Sequence, residues 1–309
     1  YQGEGVVIGI IDTGLDLDHE AFANAPANPR LDISAAQAMV CTPLEDGTYE
    51  AHSFASLWMA NNRNILVTAE ELYKSEKVPF AFDYADVDTD VSPTWQTAYL
   101  YGNSHGTHVA GIAAGKTVDE NGTVTFAGEA PEAQLAIFKV FSDKGGGAYD
   151  DVILAAVNDA LVLGVDVLNM SLGSASGFAE EEEGSALQVY YDAIASSGVL
   201  LNCSAGNDFS SSYNAPAGDF AKTENPDYGI VGSPSTYASA LSVASLDATR
   251  QPVIRAGEMQ VAINNVPEHD FRSELLQDAQ QRQIAYVVIP GQGAAEDYQG
   301  LDVTGKVAL

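Results

Sequence analysis

Gly5-Val6-Val7-Ile8-Gly9-Ile10-Ile11-Asp12-Thr13-Gly14 opens the chain with an apolar run that ends in an acid and a tight turn. Val6–Ile11 has the length of one strand and no polar position. A strand with no polar face is buried on both faces, the condition of strands in parallel sheets covered by helices.

Runs of the same kind recur at Leu135–Phe141, Val165–Met170, Val199–Ser204 and Ala240–Ala244. Helical spacing lies between them. His105–Gly115 is small and apolar, closed by Gly115. Asp150 and Asp151 can cap a helix to about Leu163, where Gly164 stops it, and Ser185–Ser197 is a helix stopped by Gly198. Strands alternating with helices predict an α/β fold: βαβ units forming a parallel β-sheet with helices on both faces. Ligands of such sheets bind beyond the carboxyl ends of the strands. Asp12, Ser171 and Asn207 fall there. Pro26 to about Tyr101 reads as irregular, with a short helix at Ala69–Glu76. After Arg250 come short alternating segments, then apolar runs at Ala285–Pro290 and Val303–Leu309 with glycines between, the pattern of the start of a mainly β module.

The 309 residues carry 43 acids against 13 bases, a formal charge of −30. That field repels phosphate backbones and anionic lipid, excluding nucleic-acid and membrane-surface partners, and favours solubility and cationic ligands. No stretch reaches the roughly 18 apolar residues of a membrane helix, so no membrane insertion is expected within the chain. Tyr1 leads straight into the first strand without a signal-peptide pattern, the look of a processed or cropped start. Cys41 and Cys203 fit no metal-ligand spacing. Cys203 lies in an apolar run and reads as a buried thiol.

Four motifs carry chemistry. Asp12 at the end of a buried strand is rigidly held and can orient an imidazole; Asp-Thr-Gly alone also occurs in phosphate- and magnesium-binding folds, or as a simple Asx turn. In Asn103-Ser104-His105-Gly106-Thr107-His108-Val109-Ala110-Gly111, His105 opens a helix, where a neutral imidazole can act as general base. His105 and His108 could suggest a metal, but no partnering acid or cysteine set accompanies them. The third motif is Leu168-Asn169-Met170-Ser171-Leu172-Gly173 and the fourth Ser204-Ala205-Gly206-Asn207; Gly145-Gly146-Gly147 alone reads as a loop.

In that order, Asp-Thr-Gly, His-Gly-Thr-His-Val-Ala-Gly and Ser-Ala-Gly-Asn resemble the subtilisin-like serine protease (subtilase) family, whose triad runs Asp, His, Ser along the chain. The resemblance implies that Asp12 is the orienting acid, His105 the general base and Asn207 the oxyanion-hole donor, with His108 structural. It implies that an extended protein or peptide substrate lies between Gly145, Gly146, Gly147 and Ser171, Leu172, Gly173, and that Ser204, Ala205 and Gly206 line the site. Lys139-Val140-Phe141-Ser142 and the run through Ser174 look like the cell-envelope proteinase branch (lactocepin and C5a-peptidase-like), and Gly305-Lys306-Val307-Ala308-Leu309 looks like a strand of the protease-associated (PA) domain inserted in that branch. The expected division is therefore 1–250, the N-terminal portion of a subtilisin-like catalytic domain with a long insertion at about 23–101, and 251–309, the beginning of a PA-like insert.

The family's Gly-Thr-Ser-Met-Ala is absent from these residues. The nearest imitation is Ser233, which Pro234 spoils. The serine and the remainder of the catalytic domain are expected after Leu309, and residues 1–309 alone are predicted to be inactive. No cofactor is required for the chemistry; calcium often stabilises such enzymes, and no ligand set is placed for it. The parent is expected to be a secreted or cell-surface (extracellular) serine endopeptidase. The alternative is a non-catalytic binding or adhesin module derived from a protease; keeping Asp12, His105 and Asn207 together speaks against it. A phosphate-handling enzyme lacks its glycine-rich loop and lysine. Glu180–Glu183 reads either as a solvated acidic loop favouring the next helix or as a rim attracting basic substrates.

Overall fold

A computed structural model describes residues 1–40, 42–43, 45, 49–50, 67–93, 104–174, 186–207, 231–245, 253–256, 259–262, 286–289, 295–304 and 306–308. The chain divides into two compact units, Tyr1–Ala244 and Ser245–Leu309.

In chain order, the first unit comprises β1 (Val7–Asp12), α1 (Ile33–Met39), a small hairpin β2–β3 (Thr42–Pro43 and Tyr49–Glu50), α2 (Ala69–Leu72), β4 (Phe80–Asp83) and α3 (His105–Ala114). It continues with the hairpin β5–β6 (Lys116–Val118 and Val124–Ala127), β7 (Gln134–Lys139), α4 (Asp150–Leu163), β8 (Val167–Met170), α5 (Ala186–Ser196), β9 (Leu200–Ser204) and β10 (Leu241–Val243). Six of these strands form one sheet in the order β10-β9-β8-β1-β7-β4. Every pairing in it is parallel. This is the doubly covered α/β sheet that the apolar runs predict.

Side chains alternate across a strand, and the two halves of each run feed separate cores. Val7 and Ile11 of β1, with Phe80, Phe82, Ala136 and Phe138, pack under α4. Ile8 and Ile10, with Ala81, Leu135 and Ile137, meet Ala110 and Ala114 of α3. The sheet therefore lies between α4 and α5 on one face and α3 on the other.

Helix ends follow the sequence with one adjustment. Gly164 ends α4 at φ 79°, as a left-handed cap requires. Asp150 and Asp151 do not cap α4, because Tyr149 holds that position; they sit in its first turn, where their charge favours the positive end of the helix. The stretch read as irregular contains α1, capped by Asp32, and β4, an edge strand of the main sheet. Pro79 precedes β4, and an edge strand tolerates proline at its start. Cys203 is buried and free, and burial pushes its thiol up to about 12; Cys41 lies outside the described residues.

In the second unit Val253–Ala256 pairs antiparallel with Met259–Ala262, and Tyr286–Val287 pairs parallel with Val307–Ala308. Among the described residues no helix is long and apolar enough to cross a membrane.

Candidate active site

Asp12 ends β1 with 1% of its surface exposed, and His105 is the first residue of α3. His105 Nδ1 lies 2.7 Å from Asp12 Oδ1. With Asp12 ionised, Nδ1 carries the proton and donates it to that oxygen, leaving Nε2 as the basic nitrogen. The His105 side chain is 44% exposed, so the ring is reachable while its partner is not. The hydrogen bond to Asp12 holds the imidazole pKa above its usual 6.5, against the opposing effect of partial burial.

Backbone and side-chain bonds join the two elements. Thr13 N donates to Asp12 Oδ1 at 2.7 Å, Gly106 N to Thr13 Oγ1 at 2.9 Å, and Asp16 N to Thr107 Oγ1 at 2.9 Å. The glycines make this approach possible. Gly14 has φ 111°, and a Cβ there would stand 2.3 Å from the Val91 carbonyl oxygen. A Cβ on Gly106 would stand 2.3 Å from the Gly14 carbonyl oxygen. Asp-Thr-Gly and His-Gly-Thr are therefore two halves of one close-packed joint. Asp12 Oδ2 is buried without a hydrogen-bond partner among the described residues.

The other predicted residues lie along the same edge of the sheet. Ser171 follows β8 and Asn207 follows β9, and β9, β8 and β1 are adjacent. Asn207 is exposed. Ser204 ends β9, and its neighbour Ala205 donates from N to the Val243 carbonyl while accepting from Gly232 N, both at 2.8 Å. Ser174 and Ser233 exchange backbone bonds of 3.0 and 2.9 Å. These contacts lace Ser174 through Ser233 and Gly232 to Ala205. Ser233 serves here through its backbone.

A pocket of about 240 Å³ opens between these segments, lined by Gly147, Ala148, Leu172, Gly173, Tyr191 and Tyr237, among others. Tyr191 and Tyr237 stack with ring centroids 4.3 Å apart. Gly146 (φ 108°) and Gly147 have open space where side chains would be: only the Tyr149 hydroxyl, at 3.8 Å, comes near a Cβ at Gly146. Gly147, Leu172 and Gly173 thus line one pocket. Glu180–Glu183 lies outside the described residues.

Sequence reasoning missed Lys139 and the carboxylates around it. Asp83, Asp86 and Asp143 each offer an oxygen within 4.8 Å of the others, a spacing able to hold an ion. Lys139 and Lys144 place two ammonium groups among these three carboxylates and offset most of their charge. Burial opposes both charges of the Asp83–Lys139 pair and pushes Asp83 up to about 6. Lys139 nevertheless stays above the usual lysine value, because it faces two carboxylates.

With this geometry in hand, the comparisons decide the family. The profile described as the peptidase S8, or subtilase, family matches residues 3–301. This chain belongs to the subtilase family. It is 31% identical over 332 residues to a PII-type proteinase of Lacticaseibacillus paracasei, covering 100% of this subtilase chain and 15% of that protein. It is 31% identical over 254 residues to a C5a peptidase of Streptococcus pyogenes, covering 81% of this chain and 19% of that one. The subtilase chain thus spans less than a fifth of the length of these relatives. Among solved structures it is similar to a lanthipeptide protease, at 24% identity and a TM-score of 0.40, over 78% of this chain and 49% of the other.

Proposed function

We propose that this subtilase chain supplies the acid and the base of a secreted or cell-surface serine endopeptidase of the cell-envelope type. The observation that carries the reading is the 2.7 Å contact between a buried carboxylate and a reachable imidazole at the carboxyl edge of the sheet. His105 Nε2 takes the proton of a serine hydroxyl as that oxygen attacks the peptide carbonyl, and Asp12 holds the ring in the required tautomer and stabilises the imidazolium. The serine lies outside residues 1–309. The Asn207 amide donates to the developing oxyanion.

The substrate backbone adds as a strand between Gly145–Gly147 and Ser171–Gly173, and the neighbouring pocket takes one of its side chains. The open space at Gly146 and Gly147 supports this reading. An extracellular setting is supported by relatives named as a C5a peptidase and as proteinases. The two short sheets after Ser245 fit the beginning of a PA-like insert.

The experiment uses the full-length protein. Cleavage of a fluorogenic peptide, labelling by a serine-directed fluorophosphonate and loss of cleavage in His105→Ala are expected. Binding of peptides without cleavage would establish the non-catalytic module instead.

A further inference from the structure

Beyond the Asp12–His105 joint, a dense set of charges surrounds Lys139. Lys139 ends β7, in register with Asp12 on one side and with Asp83 on the other. Register partners on parallel strands point to one face of a sheet. Their neighbours two residues back, Ile10, Ile137 and Ala81, pack with α3, so all three side chains share the face that carries His105.

Lys139 is 1% exposed. Its ammonium lies 2.8 Å from Asp83 Oδ2 and 3.0 Å from Asp143 Oδ1, and it donates to the Phe141 carbonyl. Its stem runs against the turn after Asp12, since a Cβ on Gly14 would stand 3.0 Å from Lys139 Cδ. Asp86 holds the same loop from another side. Its Oδ1 accepts from Ser142 Oγ at 3.0 Å and from Lys144 Nζ at 2.8 Å, and its Oδ2 accepts from Asp143 N at 2.8 Å. Residues 141–144 are thus held by Lys139 and Asp86. The three glycines that follow have no side chains with which to hold themselves.

We propose that Lys139 and Asp86 form a positioning device that fixes the Gly145–Gly147 segment relative to the Asp12 turn, and so sets where the substrate backbone lies against His105. The inference rests on the reading of Gly145–Gly147 as a substrate-flanking segment. Burying a lysine is costly unless its donors are matched. What its ammonium supplies, and an apolar side chain of the same size cannot, is direction: it ties β4 and the 141–144 loop to one point beside the catalytic turn. A flanking strand contributes mainly ground-state binding, so loosening the device raises KM more than it lowers kcat.

The test is Asp86→Asn in the full-length protein, which removes the charge that faces Lys144 and leaves the Lys139–Asp83 pair in place. Two substrates are compared: a long peptide that reaches the glycine segment, and a short ester that ends at the scissile residue. Affinity for the long peptide is also measured by fluorescence anisotropy in His105→Ala and in His105→Ala/Asp86→Asn. The expected result is a rise of about tenfold in the long-to-short KM ratio and in the long peptide's Kd, with kcat on the long peptide within about twofold. Equal changes for both substrates, or none for either, would overturn the positioning role while wild-type cleavage still upheld the peptidase reading. A wild-type protein that neither cleaves nor binds the long peptide would overturn both.

Discussion

His105 Nδ1 and Asp12 Oδ1 stand 2.7 Å apart although 93 positions separate the residues in the chain. The carboxylate is buried, the ring is partly open, and the bond between them raises the imidazole pKa above 6.5. In the proposed mechanism only the neutral ring can accept the serine proton. The kcat/KM of the full-length protein should therefore fall as pH drops through a value above 6.5. Asp12→Asn should move that limb downward and lower kcat by about 10⁴-fold, the scale known for such triads. A pH–rate profile of the two proteins checks both expectations.

Replacing Asn207 by alanine should lower kcat by about 10²–10³ and leave KM nearly unchanged, the loss known for the oxyanion-hole asparagine of subtilisin, another member of the family. Steady-state kinetics on one peptide suffice. A raised KM with unchanged kcat would remove Asn207 from the oxyanion hole.

Gly106→Ala should damage the joint itself. The new Cβ would stand 2.3 Å from the Gly14 carbonyl oxygen, so α3 or the Asp12 turn must shift. A stability loss of about 1–3 kcal/mol is expected, as for other overpacked sites, with cleavage falling further than the loss of folded protein explains. Thermal unfolding beside titrated active-site concentration separates the two effects.

Lys77 gives a pH test independent of catalysis. It is 1% exposed and donates to the Pro131 and Ala133 carbonyls, and burial pulls its pKa down to about 8. The unfolded chain, with an ordinary lysine near 10.5, binds more protons between these values, so stability should rise as pH goes from about 8 to 10. Comparing wild type with Lys77→Met isolates the effect: the difference in Tm should move in favour of the wild type across that range. A constant difference would show that Lys77 keeps its proton in the folded state across that range, as it does in the unfolded chain.

The sequence disclosed the parts of this fold that obey a single local rule. β1, β7, β8 and β9 are apolar runs punctuated by glycine, and Asp12, His105, Ser171 and Asn207 follow from motif order and from the chemistry of strand ends. The strand β4 escaped because Phe80–Asp83 is short and follows a proline. Lys139 escaped because a lysine at a strand end reads as exposed; its burial depends on Asp83, 56 positions away, as well as on the nearby Asp143. The pocket escaped because Tyr191 and Tyr237 meet only when α5 and the segment after Pro234 are both in place.

The strand order has a consequence for synthesis. β1 is made before its sheet partners, and they are remote: Val7 pairs with Gln134, and Ile8 with Val167. At about 5–20 residues per second, this apolar strand waits roughly 6–25 seconds for β7. During that time Val6–Ile11 is an apolar segment without the sheet that buries it. Asp12 is made early and seated late, so a polypeptide stalled before β7 cannot complete the sheet that seats it.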